Sequence, residues 1–194
     1  AAQTLGIDDS AAMLARAAAA AGETLQFAKA DIASFAPDET YDLLFSNAAL
    51  HWVADHEQLL ARLRGMLAPG GQLAIQMPAN DDHPSHSVAA VLAVKHGATA
   101  HPDFLLPVER YATLLHELGF TRQHVRLQVY GHLLPSTADV VEWVRGALLT
   151  DYEARLGERF GAFLEDYRTE LPRVLGDERP FFYTYKRVLI WAGL

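Results

Sequence analysis

Two aspartates follow short apolar runs early in the chain, at positions where a carboxylate suits the binding of a nucleotide-like cofactor. Asp8 follows the run at residues 5–7, and Asp31 with Ile32 follows the run at residues 25–28. A carboxylate directly after a strand can accept hydrogen bonds from both hydroxyl groups of a ribose. Asp31 is suited to accept from an adenine amino group while Ile32 packs against the ring. The sequence leaves an alternative open, in which Asp8 caps the next helix and Asp31 only forms a turn.

A third group of candidate residues follows the apolar run at residues 43–45. Ala48 is small and lets a ligand approach closely, while Asn47, His51 and Trp52 add polar and aromatic surfaces. We predict that Asn47, Ala48 and Trp52 contact the cofactor. No residue stands out as certainly catalytic, and the two candidates are His51 and Trp52. Packing of Trp52 against a helix is the alternative.

Strands that alternate with helices are predicted to position these residues. Apolar runs predict strands at residues 4–7, 25–28, 41–46 and 72–77, and helical periodicity predicts helices at 10–22, 56–67 and 107–118. The run at residues 43–45 predicts a strand buried on both faces of a parallel sheet. We expect Ser10 to cap the first helix. We also expect Pro69 to stop the helix before it, with Gly70 or Gly71 at positive φ.

The pattern changes after residue 78. Residues 79–103 hold scattered Pro and Gly and predict a mobile connection or lid, with a helix at 87–94. Two late strands are predicted at residues 125–133 and 181–191, separated by a helical insertion at 136–175. We therefore divide the chain into a core, residues 1–135 and 179–194, and a helical cover, residues 136–178.

Composition excludes several classes of protein. The 194 residues are 51% hydrophobic, enough for one sizeable core, and the net charge of -8 provides no basic field for nucleic acid or an anionic membrane. The chain has no cysteine, which excludes disulfides, thiolate nucleophiles and thiolate metal sites and fits a reducing cytoplasm. No run approaches the roughly 20 apolar residues of a membrane span. We expect a cytoplasmic monomer whose partner is a small molecule.

The histidines do not predict a metal site. His51 and His56 are five apart and His83 and His86 are three apart, with no Glu-x-x-His pattern. Dedicated zinc sites combine closely spaced histidines with cysteine or carboxylate ligands. We therefore expect no bound metal.

Several segments together resemble the class I S-adenosylmethionine-dependent methyltransferases. They are residues 5–8, 30–32, 41–47, 51–52 and 67–73. Within that superfamily, residues 47–52, 76–80, 135–137 and 141–144 resemble the trans-aconitate 2-methyltransferases. Each segment is short, but their order and spacing together are specific, and the resemblance covers nearly the whole chain.

The resemblance implies an α/β fold with a Rossmann-like sheet and S-adenosylmethionine as the cofactor. The last strand of that sheet, residues 181–191 here, is antiparallel to the others, and the helical insertion covers the active site. The family's first strand and its glycine-rich loop, which contacts the methionine part of the cofactor, have no counterpart in this sequence. We expect them to precede Ala1.

The resemblance also implies methyl transfer to a carboxylate of trans-aconitate or a related small polycarboxylate, which gives a monomethyl ester. A carboxylate is already ionised at neutral pH, so no strong general base is needed and catalysis comes from orientation and loss of water. A polyanionic substrate requires cations and hydroxyl donors. The candidates are His132, Arg145, Tyr152, Tyr183, Lys186 and Arg187, and we expect at least one arginine to bind a distal carboxylate.

Three other functions stay open from the sequence. The acceptor can be another small molecule or an acyl carrier, or the chain can be a noncatalytic methyltransferase-like binding module. A nicotinamide dehydrogenase shares the acidic residue that binds ribose. The Pro-Gly-Gly segment at residues 69–71 and the aromatic strand near the end argue against the dehydrogenase.

Overall fold

The structure is a computed structural model that describes residues 1–194. It has six strands: β1 Thr4–Asp8, β2 Leu25–Lys29, β3 Tyr41–Asn47, β4 Leu67–Pro78, β5 Arg122–Leu134 and β6 Phe181–Gly193. Its seven α-helices are α1 Ala11–Ala17, α2 His56–Gly65, α3 Pro84–Lys95, α4 Val108–Glu117, α5 Val140–Arg145, α6 Leu148–Leu156 and α7 Phe160–Leu175. Every predicted strand and helix is present. None of these helices combines the length and the apolar composition that a membrane crossing requires.

Strands β1 and β2 form a two-stranded parallel sheet. Thr4 pairs with Leu25 and Asp8 pairs with Lys29, so the two strands end at the same edge. A parallel pair needs a crossover, which α1 supplies. The predicted cap of α1 is confirmed, because the Oγ atom of Ser10 accepts a hydrogen bond from the amide of Met13 at 3.4 Å.

The other four strands form a second sheet in the order β3-β4-β6-β5. The amide of Leu194 donates to the carbonyl of Gly71, and the amide of Ala79 donates to the carbonyl of Lys186. Residue numbers therefore rise along β4 where they fall along β6, which makes the two strands antiparallel. The predicted antiparallel last strand is confirmed.

The Pro-Gly-Gly segment does not end a helix, contrary to our prediction. Helix α2 already ends at Gly65, where the amide of Met66 bonds to helix carbonyls, and β4 begins at Leu67. Gly70 does have a positive φ of 78°, as predicted. At Gly71 a Cβ atom would lie 2.8 Å from the carbonyl oxygen of Ala68. The glycines therefore let the start of β4 turn and pass close to neighbouring backbone.

Strand β3 is not buried on both faces, so that prediction is also wrong. Leu43 is 55% exposed and Phe45 is 73% exposed. The two side chains share one face of the strand, and their exposure shows that the rest of the chain leaves this face uncovered. A continuous apolar run indicates a strand that can be covered on both faces, but the run itself does not provide the cover.

The chain divides into two compact units. The first unit contains residues Ala1–Ile75, Leu106–Val125 and Ile190–Leu194. Its core includes buried apolar side chains from α2, β4 and α4: Leu59, Leu60, Leu73, Ile75, Leu114 and Leu115.

The second unit contains residues Gln76–Leu105 and Arg126–Leu189. Helices α3, α5, α6 and α7 bury one apolar cluster, in which Phe163 and Tyr167 have no exposed surface. Tyr183 of β6 joins this cluster. The predicted helical insertion is confirmed as helical, and its core also includes α3, which the sequence assigned to a mobile connection.

In the first unit, replacing Tyr111 with phenylalanine is expected to lower the free energy of unfolding by about 1–3 kcal/mol. The buried Tyr111 hydroxyl is hydrogen-bonded to Nδ1 of His56 and accepts from the amide of Leu106 at 3.2 Å. His56 is itself buried and its Nε2 atom lies 3.1 Å from the carbonyl oxygen of Leu50. Without the Tyr111 hydroxyl, Nδ1 of His56 and the amide of Leu106 each lose a hydrogen-bond partner. Urea unfolding measures the loss, and Tyr130→Phe, at an exposed ring, is the control.

Candidate active site

Asp8 and Asp31 lie at the same edge of the first sheet. Asp8 is the last residue of β1, and Asp31 follows β2 by two residues. The amide of Ala30 donates to the carbonyl oxygen of Asp8 at 3.1 Å, so the two chain segments remain paired beyond β2. The structure thus brings these two predicted carboxylates together, as parallel strands require.

The two carboxylates differ in how they are already hydrogen-bonded. Oδ1 of Asp8 accepts from the amide of Ser10 at 2.8 Å, and its second oxygen makes no hydrogen bond within the chain. Both oxygens of Asp31 are used, because Oδ1 accepts from Ala33 at 2.9 Å and Oδ2 accepts from Ser34 at 3.1 Å. Asp31 therefore stabilises a turn, the alternative that the sequence left open, and each of its oxygens can still accept a second hydrogen bond. Asp8 has one oxygen that accepts no hydrogen bond within the chain.

The loop after β2 is held by a side chain that the sequence did not indicate. Arg62 of α2 donates to the carbonyl of Ile32 at 3.0 Å and also hydrogen-bonds the carbonyl of Ala33. Ile32 is half-buried. In the sequence Arg62 is only a polar residue of a helical pattern, because periodicity reports local structure and the loop lies 30 residues earlier. This arginine fixes the loop that carries Asp31 and Ile32.

The end of β3 has an unusual backbone. Ala48 has a positive φ of 52°, which costs a residue with a Cβ atom on the order of 1 kcal/mol. The strand end at Asn47 is exposed, and the Oγ atom of the preceding Ser46 is buried without a hydrogen-bond partner. Strained backbone and orphaned polar atoms are typical of ligand sites.

His51 and Trp52 lie in the short turn that follows. The two rings are 4.8 Å apart between centroids, and Trp52 is 48% exposed. A half-exposed indole ring offers a flat apolar surface to a ligand. The structure therefore keeps both residues beside the end of β3, where the sequence placed them.

The second unit contains a cluster of aromatic rings around Tyr185, which we call the aromatic patch. Its members are Tyr130, His132, Trp143, Tyr183 and Tyr185. Tyr130 stacks on Tyr185 with centroids 5.4 Å apart, and His132 lies 4.3 Å from Trp143. Trp143 in turn is about equally close to Tyr183 and Tyr185, at 6.1 and 6.0 Å. The structure thus joins the candidates His132 and Tyr183 through rings that the sequence did not single out.

Arg187 is the cation of this patch. Its Cζ atom lies 5.4 Å from the ring centroid of Tyr185, and the side chain is half-buried without a carboxylate partner. Because residues 183, 185 and 187 alternate along β6, they point to one face of the strand. A guanidinium stacked on a ring keeps its N–H groups available for an anion.

The other basic candidates are already paired. Arg145 lies 3.4 Å from Glu142 on the same helix, and Lys186 forms an ion pair with Asp82. This hydrogen bond and the positive charge of Lys186 lower the pKa of Asp82. Neither cation lacks an anion as Arg187 does.

Tyr152 lies in the apolar cluster of the second unit. Its hydroxyl accepts a hydrogen bond from the amide of His101 at 3.1 Å, and the guanidinium of Arg155 lies 4.9 Å from its ring. Burial raises the pKa of the phenol. These contacts give Tyr152 a structural role, and the structure does not bring it into the aromatic patch.

A polar network that the sequence did not indicate begins at the start of α3. We call it the Ser85 network, after the hydroxyl that lies 2.8 Å from Nδ1 of His83, 3.0 Å from Nδ1 of His86 and 3.3 Å from the hydroxyl of Tyr183. Ser85 has no exposed surface. Burial lowers the pKa of His83, and it lowers the pKa of His86 to about 4.

We expect His86 to make the protein less stable as the pH falls from neutrality, by on the order of 1–3 kcal/mol at about pH 4. The unfolded chain takes up a proton near the ordinary value of 6.5, whereas the folded imidazole stays neutral until about pH 4. The stabilising contribution is therefore complete above 6.5 and is lost between these values. Urea unfolding across this range measures it, and an unchanged slope in His86→Asn would contradict the assignment.

No group of three or more histidine, aspartate or glutamate side chains in the described chain could hold a metal ion.

Comparison with known proteins identifies the class. Residues 1–75 match a methyltransferase domain. The fold is similar to that of phosphoethanolamine N-methyltransferase 2 of Haemonchus contortus in complex with S-adenosyl-L-methionine, with a TM-score of 0.57 and 16% identity over 98% of this chain and 43% of that one. It is also similar to an S-adenosylmethionine-dependent methyltransferase of Mesorhizobium loti, with a TM-score of 0.51 and 21% identity over 100% of this chain and 81% of that one. The chain thus has the fold of the class I S-adenosylmethionine-dependent methyltransferases.

Curated relatives narrow the family. The chain is 39% identical to trans-aconitate 2-methyltransferase of Deinococcus radiodurans over 98% of its own length and 77% of that protein. It is 37% identical to the enzyme of the same name from Variovorax paradoxus, over 96% of this chain and 78% of that one. The chain belongs to the trans-aconitate 2-methyltransferase family.

The first unit fits the cofactor of this class, S-adenosylmethionine. Asp8 has an unused carboxylate oxygen for ribose hydroxyls, and the buried Ser46 hydroxyl near the end of β3 lacks a partner. Ile32 and Trp52 add apolar surface for the adenine ring. These polar and apolar groups therefore suit a ligand that has two ribose hydroxyl groups and a flat heterocycle.

Proposed function

We propose that the protein methylates a carboxylate of trans-aconitate or of a related small polycarboxylate and forms a monomethyl ester. The observation that carries the proposal is Arg187, a half-buried cation on Tyr185 with no acidic partner in a protein of net charge -8. A guanidinium that forms no ion pair within the chain can bind a carboxylate from outside it. The relatives named trans-aconitate 2-methyltransferase support the same acceptor.

Methylation of a carboxylate requires no strong general acid or general base from the protein. A carboxylate acceptor is ionised at neutral pH, so no residue would have to remove a proton from the attacking oxygen. S-adenosylmethionine supplies the activated methyl group. The residues contribute by holding the acceptor in one orientation and by removing water from the attacking oxygen.

Each unit has a separate role in this proposal. In the first unit, Asp8, Asn47 and Trp52 hold the cofactor, with Ala48 allowing close approach. In the second unit, Arg187 binds a carboxylate that does not react, and the aromatic patch packs against the carbon skeleton. Helix α5 brings Trp143 to the patch. This contact supports the proposal that residues 136–178 cover the acceptor.

The test is a methyl-transfer assay with S-adenosylmethionine and four acceptors: trans-aconitate, cis-aconitate, citrate and isocitrate. We expect a preference for trans-aconitate and a product that alkaline hydrolysis returns to the free acid, as an ester requires. Cofactor binding without turnover of any acceptor would contradict the proposed substrate. Transfer to a product stable in alkali would contradict the ester.

A further inference from the structure

A backbone hydrogen bond determines which ring nitrogen of His83 carries the proton. Its Nδ1 atom accepts a hydrogen bond from the amide of Ser85 at 3.1 Å, so this nitrogen carries no proton. In a neutral imidazole the proton is then on Nε2. Burial lowers the pKa of His83, which keeps the ring neutral near pH 7 against the opposing effect of Asp82.

The Nε2–H group of His83 makes no hydrogen bond within the chain. Nδ1 makes every hydrogen bond of this side chain, to the amide and the hydroxyl of Ser85. The ring is half-buried, and the Nε2 atom keeps some exposed surface. An N–H donor with a fixed direction and no acceptor can bind an oxygen of a ligand.

A series of ring contacts connects His83 with Arg187. Its ring meets the ring of Tyr183 edge-on, with centroids 4.9 Å apart. Tyr183 stacks on Tyr185 at 6.1 Å, and Arg187 lies over Tyr185 on the same face of β6. The aromatic patch therefore carries a neutral donor at one end and a cation at the other.

We infer that His83 binds a second carboxylate of the acceptor through Nε2–H and that Ser85 is the positioning residue that aims it. This inference rests on the proposed function, because it assigns a further contact in the same substrate site. With Arg187, it gives the patch two donors at a fixed separation. A rigid polycarboxylate is then selected by the distance and direction between its carboxylates.

The charges around His83 are compatible with an incoming anion. Asp82 is adjacent in sequence, but its carboxylate is paired with the ammonium group of Lys186. Lys186 also acts electrostatically on His83 and disfavours its protonated form. The local pair is close to neutral, so repulsion of a carboxylate is weak.

His83 has a structural role, since it caps α3 through Nδ1. The test must separate this role from the inferred binding of a carboxylate through Nε2–H. Asparagine is a good helix cap and keeps an acceptor near the Nδ1 position, but it has no donor at the Nε2 position. Glutamine places an amide at the outer position but caps poorly. We compare His83→Asn and His83→Gln, with His124→Asn at an exposed histidine of β5 as the control.

For His83→Asn we expect an unchanged melting temperature and an unchanged Kd for S-adenosylhomocysteine, with the KM for trans-aconitate raised about tenfold or more. For His83→Gln we expect a lower melting temperature and a smaller change in KM. Nitrogen-15 NMR of the imidazoles should show the Nε2–H tautomer for His83 and a shift of this signal when trans-aconitate is added to the protein bound to S-adenosylhomocysteine.

The outcomes separate the inference from the proposed function. If the protein methylates trans-aconitate and His83→Asn keeps the wild-type KM, His83 is only a helix cap and the inference fails while the function stands. A wild-type NMR signal that trans-aconitate does not shift also overturns the inference. If none of the four acceptors is methylated or shifts the signal, both fail.

Discussion

Replacing Arg187 with alanine is expected to raise the KM for trans-aconitate by about 10- to 100-fold. A hydrogen bond between charged groups contributes about 1.5–3 kcal/mol, which corresponds to this range. Arg187 lies over Tyr185 without an acidic partner, so removing it breaks no ion pair of the folded chain. Stability should therefore change little, and steady-state kinetics with trans-aconitate as the varied substrate measures the effect.

Three comparisons sharpen this result. Arg187→Lys keeps the charge but loses the planar fork, so we expect an intermediate KM. Arg126→Ala removes an exposed arginine from β5 and should leave KM within about twofold. Arg145, which the sequence made an equal candidate, is paired with Glu142, and its alanine variant should behave like the control. A wild-type KM in Arg187→Ala would remove Arg187 from the substrate site.

Replacing Asp8 with asparagine is expected to weaken the binding of S-adenosylmethionine by about 10- to 100-fold, again the value of a charged hydrogen bond. The asparagine side-chain oxygen can still accept from the amide of Ser10, so the contact at 2.8 Å survives. The variant loses the negative charge and an acceptor for a second ribose hydroxyl. Titration calorimetry with S-adenosylmethionine and S-adenosylhomocysteine measures both dissociation constants.

The neighbouring Asp9 provides a matched control, because it is an exposed acid one residue further along the chain. Asp9→Asn changes the net charge by the same amount, so it reports the general electrostatic effect of a lost charge. We expect its dissociation constants to stay within about twofold of the wild type. Equal behaviour of the Asp8 and Asp9 variants would mean that Asp8 only supports the turn before α1.

Much of the candidate site could be predicted because its residues follow strands. Asp8 and Asp31 come at or just after the ends of β1 and β2, and a parallel pair of strands places such residues at one edge. Asn47 ends β3, which belongs to the other sheet. The detail could not be predicted. The sequence does not indicate that the amide of Ala33 and the hydroxyl of Ser34 each donate to Asp31, because these contacts depend on the conformation of the loop.

The substrate side was harder to predict, because its residues are far apart in sequence. The sequence gives no reason to prefer one of the basic candidates Arg145, Lys186 and Arg187. They differ in the groups that contact them in the folded chain. Arg145 is paired with Glu142 and Lys186 is paired with Asp82. Arg187 instead stacks on the ring of Tyr185. The Ser85 network joins α3 to β6 across 98 residues, so no local pattern indicates it.

The sequence by itself determined the α/β fold, the order of its strands and helices, the methyltransferase family and the acids that end the early strands. These properties depend on local periodicity, on turn residues and on motifs that are contiguous in the chain. The tertiary structure alone decided which of the three candidate cations Arg145, Lys186 and Arg187 lacks an acidic partner, which histidine has a fixed and unused donor, and which face of β3 stays exposed. Those properties depend on contacts between distant segments, and such contacts are settled by packing.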